Sequence, residues 1–379
     1  MRRLSILMAM VLASGCKPTE KLAAPTITPA TAAQVEEFTK RFSEAVVKCT
    51  PEIDAMFDIE SMLRIGMTGR ALPRGMMNGI VSGAKRAASF KEQLCGKLAG
   101  ANPHLDLLRI RTIDGEPRPL YRSRSDTGMN YYVLRLGQVA GETRIVDMYA
   151  YLTGENASKT LSEIVEGAKQ AMEGENAPSD LPVRMQQIRT AMMDSDYKKA
   201  AGIIENLPVE MRRTKGVRTL DLQIRMNLDD TGYAAAIEQY RKDYPGDPSI
   251  DLISIDGFIL LKNYAAARAS VDRLDKRLDG DPYLNQLRAG ISVAEGKPEQ
   301  ALTEIQVVTS KLPEIRETWY AQVDLAAAAK NYAAAVVALE QLEKRFQVEI
   351  PADALSSSAE LAPIAASAEY KAWRANRPN

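Results

Sequence analysis

Five stretches of this chain repeat at a period near 34 residues: DYKKAAGII from 196, GYAAAIEQY from 232, NYAAARASV from 263, KPEQALTEI from 297 and NYAAAVVAL from 331. Aligning Tyr197, Tyr233, Tyr264, Pro298 and Tyr332 gives intervals of 36, 31, 34 and 34. Three residues on, alanine stands in every unit, at Ala200, Ala236, Ala267, Ala301 and Ala335. Seven on stands a large side chain: Ile204, Tyr240, Val271, Ile305 and Leu339. A unit this short cannot close a core alone, so neighbours must stack and share one. The alanine lets a second helix come close, and the larger residue fills the space one turn later.

Each aligned position follows another amphipathic stretch, at 181–193, 217–228, 249–261, 283–294 and 316–329. Pro208, the run YPGDP at 244–248, the run GDP at 280–282 and Pro313 separate the units. The unit is helix, turn, helix. On these residues, region 180–347 resembles the tetratricopeptide repeat family. Trp319 and Gly296 fall where that family places its first-helix aromatic and inter-helix glycine. Only one unit has the Trp, and Ile224 and Ile255 stand near positions where a small residue is usual. Without the resemblance, the same pattern reads as an irregular helical bundle.

The resemblance implies a solenoid whose first helices line a concave partner-binding groove. In the family register that groove includes Arg225, Asp256, Gln286, Tyr320 and Asp324. This is not the Lys/Asn set that clamps a terminal carboxylate, so an internal or helical peptide fits better. Read one by one, the same residues are ordinary solvated helix positions. Residues 348–379 read as a C-terminal cap, with Tyr370 and Trp373 facing the stack.

The region before the repeats, 32–175, reads as an α+β domain, with helices on a four-stranded antiparallel sheet. Thr31 and Gln34 form a capping box, and Val35, Phe38, Phe42 and Val46 mark one helical face. Pro51 and Asp58 open further turns, and 76–98 reads as one helix carrying Cys95. The period then becomes two at 105–113, 119–124, 131–136 and 144–152, with Asp114-Gly115 as a hairpin turn. A helix at about 158–173 follows. This element order resembles NTF2-like domains, which implies a cavity for a lipid or other apolar ligand and a carrier as the alternative function. The strands carry Arg109, Arg111, Arg118, Arg122, Arg124, Arg135 and Arg144, interleaved with six acids. They read either as a solvated sheet face or as a surface for anionic headgroups or an acidic partner.

The chain opens MRRLSILMAMVLASGC. A basic start, a short apolar run and small residues before Cys16 resemble a bacterial lipoprotein signal, 1–15, with Cys16 acylated. Lys17 rather than aspartate then implies an outer-membrane protein facing the periplasm, and 16–31 reads as a tether. The other reading is a secretory signal with a chance cysteine. Export leaves Cys49 and Cys95 in an oxidising compartment, where one disulfide is expected. Two buried free thiols are the alternative.

Lys plus Arg equals Asp plus Glu at 49 each, which gives no basic excess for nucleic acid. His104 is the one imidazole. No phosphate loop, GxGxxG, HExxH or GxSxG occurs. The expectation is a lipid-anchored envelope adaptor, not an enzyme, with no cofactor and no metal.

Overall fold

The computed structural model describes residues 19–73, 75–87, 89–95, 104–125, 128–173, 181–351 and 353–376. Cys16 and the signal segment lie outside them. The chain forms two compact units. One holds residues up to Leu228 together with Asp243–Ser249, and the other holds Asp229–Lys242 and the chain from Ile250 onward.

The first unit starts with strand β1 (Thr19–Lys21) and β2 (Thr28–Pro29), so part of the stretch read as a tether is docked. β1 pairs with β3 (Ala71–Pro73), and β2 pairs with β6 (Gly128–Val139). Helix Ala32–Val47 begins at the expected box: the Gln34 N–H donates to Thr31 Oγ1, and the Thr31 N–H donates to Gln34 Oε1 at 2.9 Å. Val35, Phe38, Phe42 and Val46 are all buried, packed with Ile53, Phe57, Tyr121, Leu134 and Ile145 in one core. The stretch 76–98 is not one helix. It holds helices Met76–Ala87 and Phe90–Cys95.

The sheet has six strands rather than four. β4 (His104–Ile113), β5 (Glu116–Ser125), β6 and β7 (Glu142–Ala150) form the expected antiparallel meander. β2 and β8 (Glu155–Asn156) extend it, and two-residue strands are too short to show alternation in a sequence. The hairpin turns are legible. Asp114 and Gly115 have φ of 53° and 77°, and Ala140 and Gly141 of 52° and 84°, the left-handed pairs that tight hairpins require.

Helix Ala157–Glu173 follows the sheet. Helices Leu181–Met193, Tyr197–Glu205, Val209–Arg212 and Lys215–Arg225 complete this unit around Ile188, Ala200, Ile204, Val217 and Ile224. The turn 244–249 belongs here because it seats on the end of the sheet. Gly154 (φ 64°) leaves no room for a side chain: a Cβ would lie 2.5 Å from Asp247 Oδ1 and 2.9 Å from the Ser249 nitrogen. Lys215 Nζ donates to Asp247 Oδ2 at 2.6 Å and lies 3.9 Å from Glu155 Oε2.

The second unit is helical: Asp230–Asp243 (through Lys242), Ile250–Leu260, Tyr264–Leu278, Leu284–Ala294, Pro298–Lys311, Arg316–Ala328 and Tyr332–Phe346. From Ile250 to Phe346, each helix packs against the next in sequence. Asn263 and Asn331 cap their helices by accepting from Ala266 N and Ala334 N. Ala236, Ala267, Ala301 and Ala335 are buried, as are Tyr240, Val271, Ile305 and Leu339. Helices Ala362–Ala366 and Ala368–Ala375 end the unit, with Tyr370 buried and its ring 5.3 Å from that of Trp373.

Candidate functional site

The five expected groove residues fall on two repeat positions. Arg225, Asp256 and Asp324 each stand eight residues before the aligned position of their unit, and Gln286 and Tyr320 stand twelve before. Four residues is about one helical turn, so the two positions share a helix face. Within the second unit the register adds two residues that side-chain chemistry alone passes over, Gly290 at the first position and Leu252 at the second. In the second unit, Asp256, Gly290 and Asp324 are all exposed, and Tyr320 is 43% exposed. Leu252 and Gln286 are half-buried. A Cβ on Gly290 would meet nothing within 4 Å, so no close packing among the described residues calls for this helical glycine.

The carboxyls on this face are perturbed. Asp256 touches solvent, yet burial among neighbouring atoms pushes its carboxyl above the usual range, against a lowering hydrogen bond from Tyr233. Burial likewise raises Asp324, and the nearby Glu360 adds to it. Among the described residues no cation pairs with Asp256, Asp324 or Glu360. Gln286 Oε1 is buried without a hydrogen-bond donor. The common feature of the five expected residues is the repeated position.

Arg225 is engaged in the first unit, donating to Asp221 Oδ1 at 2.8 Å and Glu205 Oε1 at 3.0 Å. The strand arginines are not a solvated row. Arg122 is 1% exposed and Arg124 8%, and both donate to Asp106 Oδ2. Arg118 and Arg135 converge on Glu116, whose carboxyl their hydrogen bonds hold below the usual range. Register explains the first of these pairings, since Arg122 lies directly across from Asp106. Reading each strand alone hides these pairs.

His104 is exposed at the start of β4. Asp229 caps helix Asp230–Asp243 by accepting from Gly232 N at 2.7 Å. The sequence points to a disulfide between Cys49 and Cys95, which stand as free thiols in this structure. They are nonetheless neighbours. Burial pushes the Cys95 thiol up to about 12, with the adjacent Cys49 adding to the rise.

Between the helices and the sheet, Phe42, Phe57, Leu94, Leu105, Tyr121, Tyr132, Leu134 and Met148 enclose about 10 Å³, room for about one water. An open hollow of about 540 Å³ lies on the first helix pair, between Val183, Gln187, Lys199 and Ile203. Among the described residues, no group of three His, Cys, Asp or Glu side chains could hold a metal ion. No described helix is long and apolar enough to cross a membrane. No family model, curated protein or solved structure matches this chain.

Proposed function

We propose that this protein is a lipid-anchored periplasmic adaptor, whose tetratricopeptide-like stack binds a cationic helical segment of another envelope protein. The observation that carries this reading is the exposed face at two repeat positions, with Asp256 and Asp324 pushed up in pKa and no cation paired with them among the described residues. A carboxylate held in a walled position gains most from a lysine or arginine delivered by a partner. Tyr320 supplies contact area at small entropy cost and a ring face for such a cation. The other reading, a carrier of an apolar ligand in the sheet domain, needs far more space than about 10 Å³.

A photo-crosslinker placed at Gln286 tests the adaptor reading. It is expected to trap one envelope protein through a Lys- or Arg-bearing segment. Tyr320→Ala with Asp324→Lys should cut the yield about thirtyfold, the equivalent of ~2 kcal/mol, with helical content unchanged. Unchanged capture by the folded double variant would move the site off this face.

The same carboxyls set a pH dependence. A bound cation favours the charged forms of Asp256 and Asp324, so binding lowers their raised values and releases protons. Affinity should be level at neutral pH and fall as acidification passes through that raised range. Asp256→Asn with Asp324→Asn should bind more weakly at neutral pH and lose the slope. Folding stability has the opposite sign. A raised carboxyl burdens the folded state above its pKa, and protonation relieves it.

A further inference from the structure

β4 ends the sheet and pairs only with β5 among the described strands. Its register shifts between Leu107 and Arg109: Leu107 lies across from Tyr121 and Ile110 across from Pro119, with Leu108 as the extra residue. In a regular strand, residues three apart point to opposite faces. Tyr121 and Pro119 are two apart and share a face, so the bulge brings Leu107 and Ile110 onto one side. They are 39% and 38% exposed, the large apolar side chains that β4 to β7 leave open among the described residues. Among the described residues the edge is open too. Counting back from the Ile113–Glu116 pair that closes the hairpin, the backbone groups of Thr112 and Ile110 point away from β5. Beyond the bulge, those of Leu107 and Leu105 do the same.

We propose that β4 is a self-association strand, joining a second copy edge to edge and antiparallel about a two-fold axis between Leu108 and Arg109. This register sets Leu107 against the partner's Ile110 and Leu105 against the partner's Thr112, and so matches outward-pointing backbone with outward-pointing backbone. It sets Asp106 against the partner's Arg111. The charges suit this. Arg122 and Arg124 both use Asp106 Oδ2, which leaves Oδ1 as an acceptor. Arg111 holds partners within its own chain, the Tyr151 hydroxyl at 3.4 Å among them, and a guanidinium has five donors. A slip of two residues in either direction parts Leu107 from the partner's Ile110. One symmetric contact thus covers the apolar pair and opposes unlike charges twice, which selects a second copy over a foreign strand.

Light scattering of the full chain carrying Cys16→Ser, Cys49→Ser and Cys95→Ser, from about 1 to about 100 µM, spans the weak end of specific interfaces. A concentration-dependent dimer is expected. Leu107→Lys with Ile110→Lys should shift it about tenfold or more toward monomer, with unchanged circular dichroism. In the same background, chains with Leu107→Cys and chains with Ile110→Cys should crosslink severalfold faster when mixed than either does alone. A monomer at every concentration, a dimer indifferent to the lysines, or equal crosslinking in all three samples would each overturn the proposal.

Discussion

Lys215→Ala is expected to destabilise the first unit by about 3–5 kcal/mol, the cost of leaving buried carboxylates without their cation. The Lys215 side chain is 7% exposed, Asp247 15% and Glu155 8%. Glu155 would keep Lys159 at 3.1 Å and the Thr160 hydroxyl at 2.8 Å. Asp247 would keep only the Ser249 N–H and hydroxyl. Burial works against the Asp247 charge, but Lys215 and Ser249 outweigh it and hold the carboxyl below its usual range. Its contribution to stability is therefore present above the unfolded-state pKa and lost as pH falls through the depressed folded value. Urea melts at neutral pH should show the loss, and the variant should show a shallower acid dependence. A variant with the wild-type midpoint would mean that the turn 244–249 is held by packing on Gly154 alone.

The second large effect concerns Cys49 and Cys95. Joining the two thiols should stabilise the fold by about 4 kcal/mol in the chain-entropy model, since the bridge closes a loop of roughly 45 residues. The geometry is prepared at both ends. Cys49 has a left-handed backbone (φ 49°) just past helix Ala32–Val47, and the Cys95 thiol donates to the Val46 carbonyl at 3.5 Å. The raised Cys95 value leaves little thiolate at neutral pH, so bridge formation should be slow without a catalyst or a strong oxidant. Protein taken from an oxidising compartment should lose thermal stability on adding reductant. The Cys49→Ser, Cys95→Ser variant should not respond to it. Two alkylatable thiols in untreated protein, with no reductant effect, would rule the bridge out.

Much of the fold is legible in local pattern. The buried alanines and the larger residue four positions later recur because every unit solves the same packing problem, and the period exposes it. The Thr31–Gln34 box and the Asp114-Gly115 turn are likewise local, since the groups that interact lie within four residues. The candidate face was half legible. Asp256, Gln286, Tyr320, Asp324 and Gly290 follow from the register, whereas the open space above Gly290 shows only in the structure. The burial of Arg122, the β4 bulge and the seating of the turn 244–249 on Gly154 left no local trace. Periodicity reports which side of an element is apolar. Which charged side chain meets which, and where the chain gains a residue against its neighbour, depends on surfaces brought together from distant parts of the sequence, and only the tertiary structure decides those.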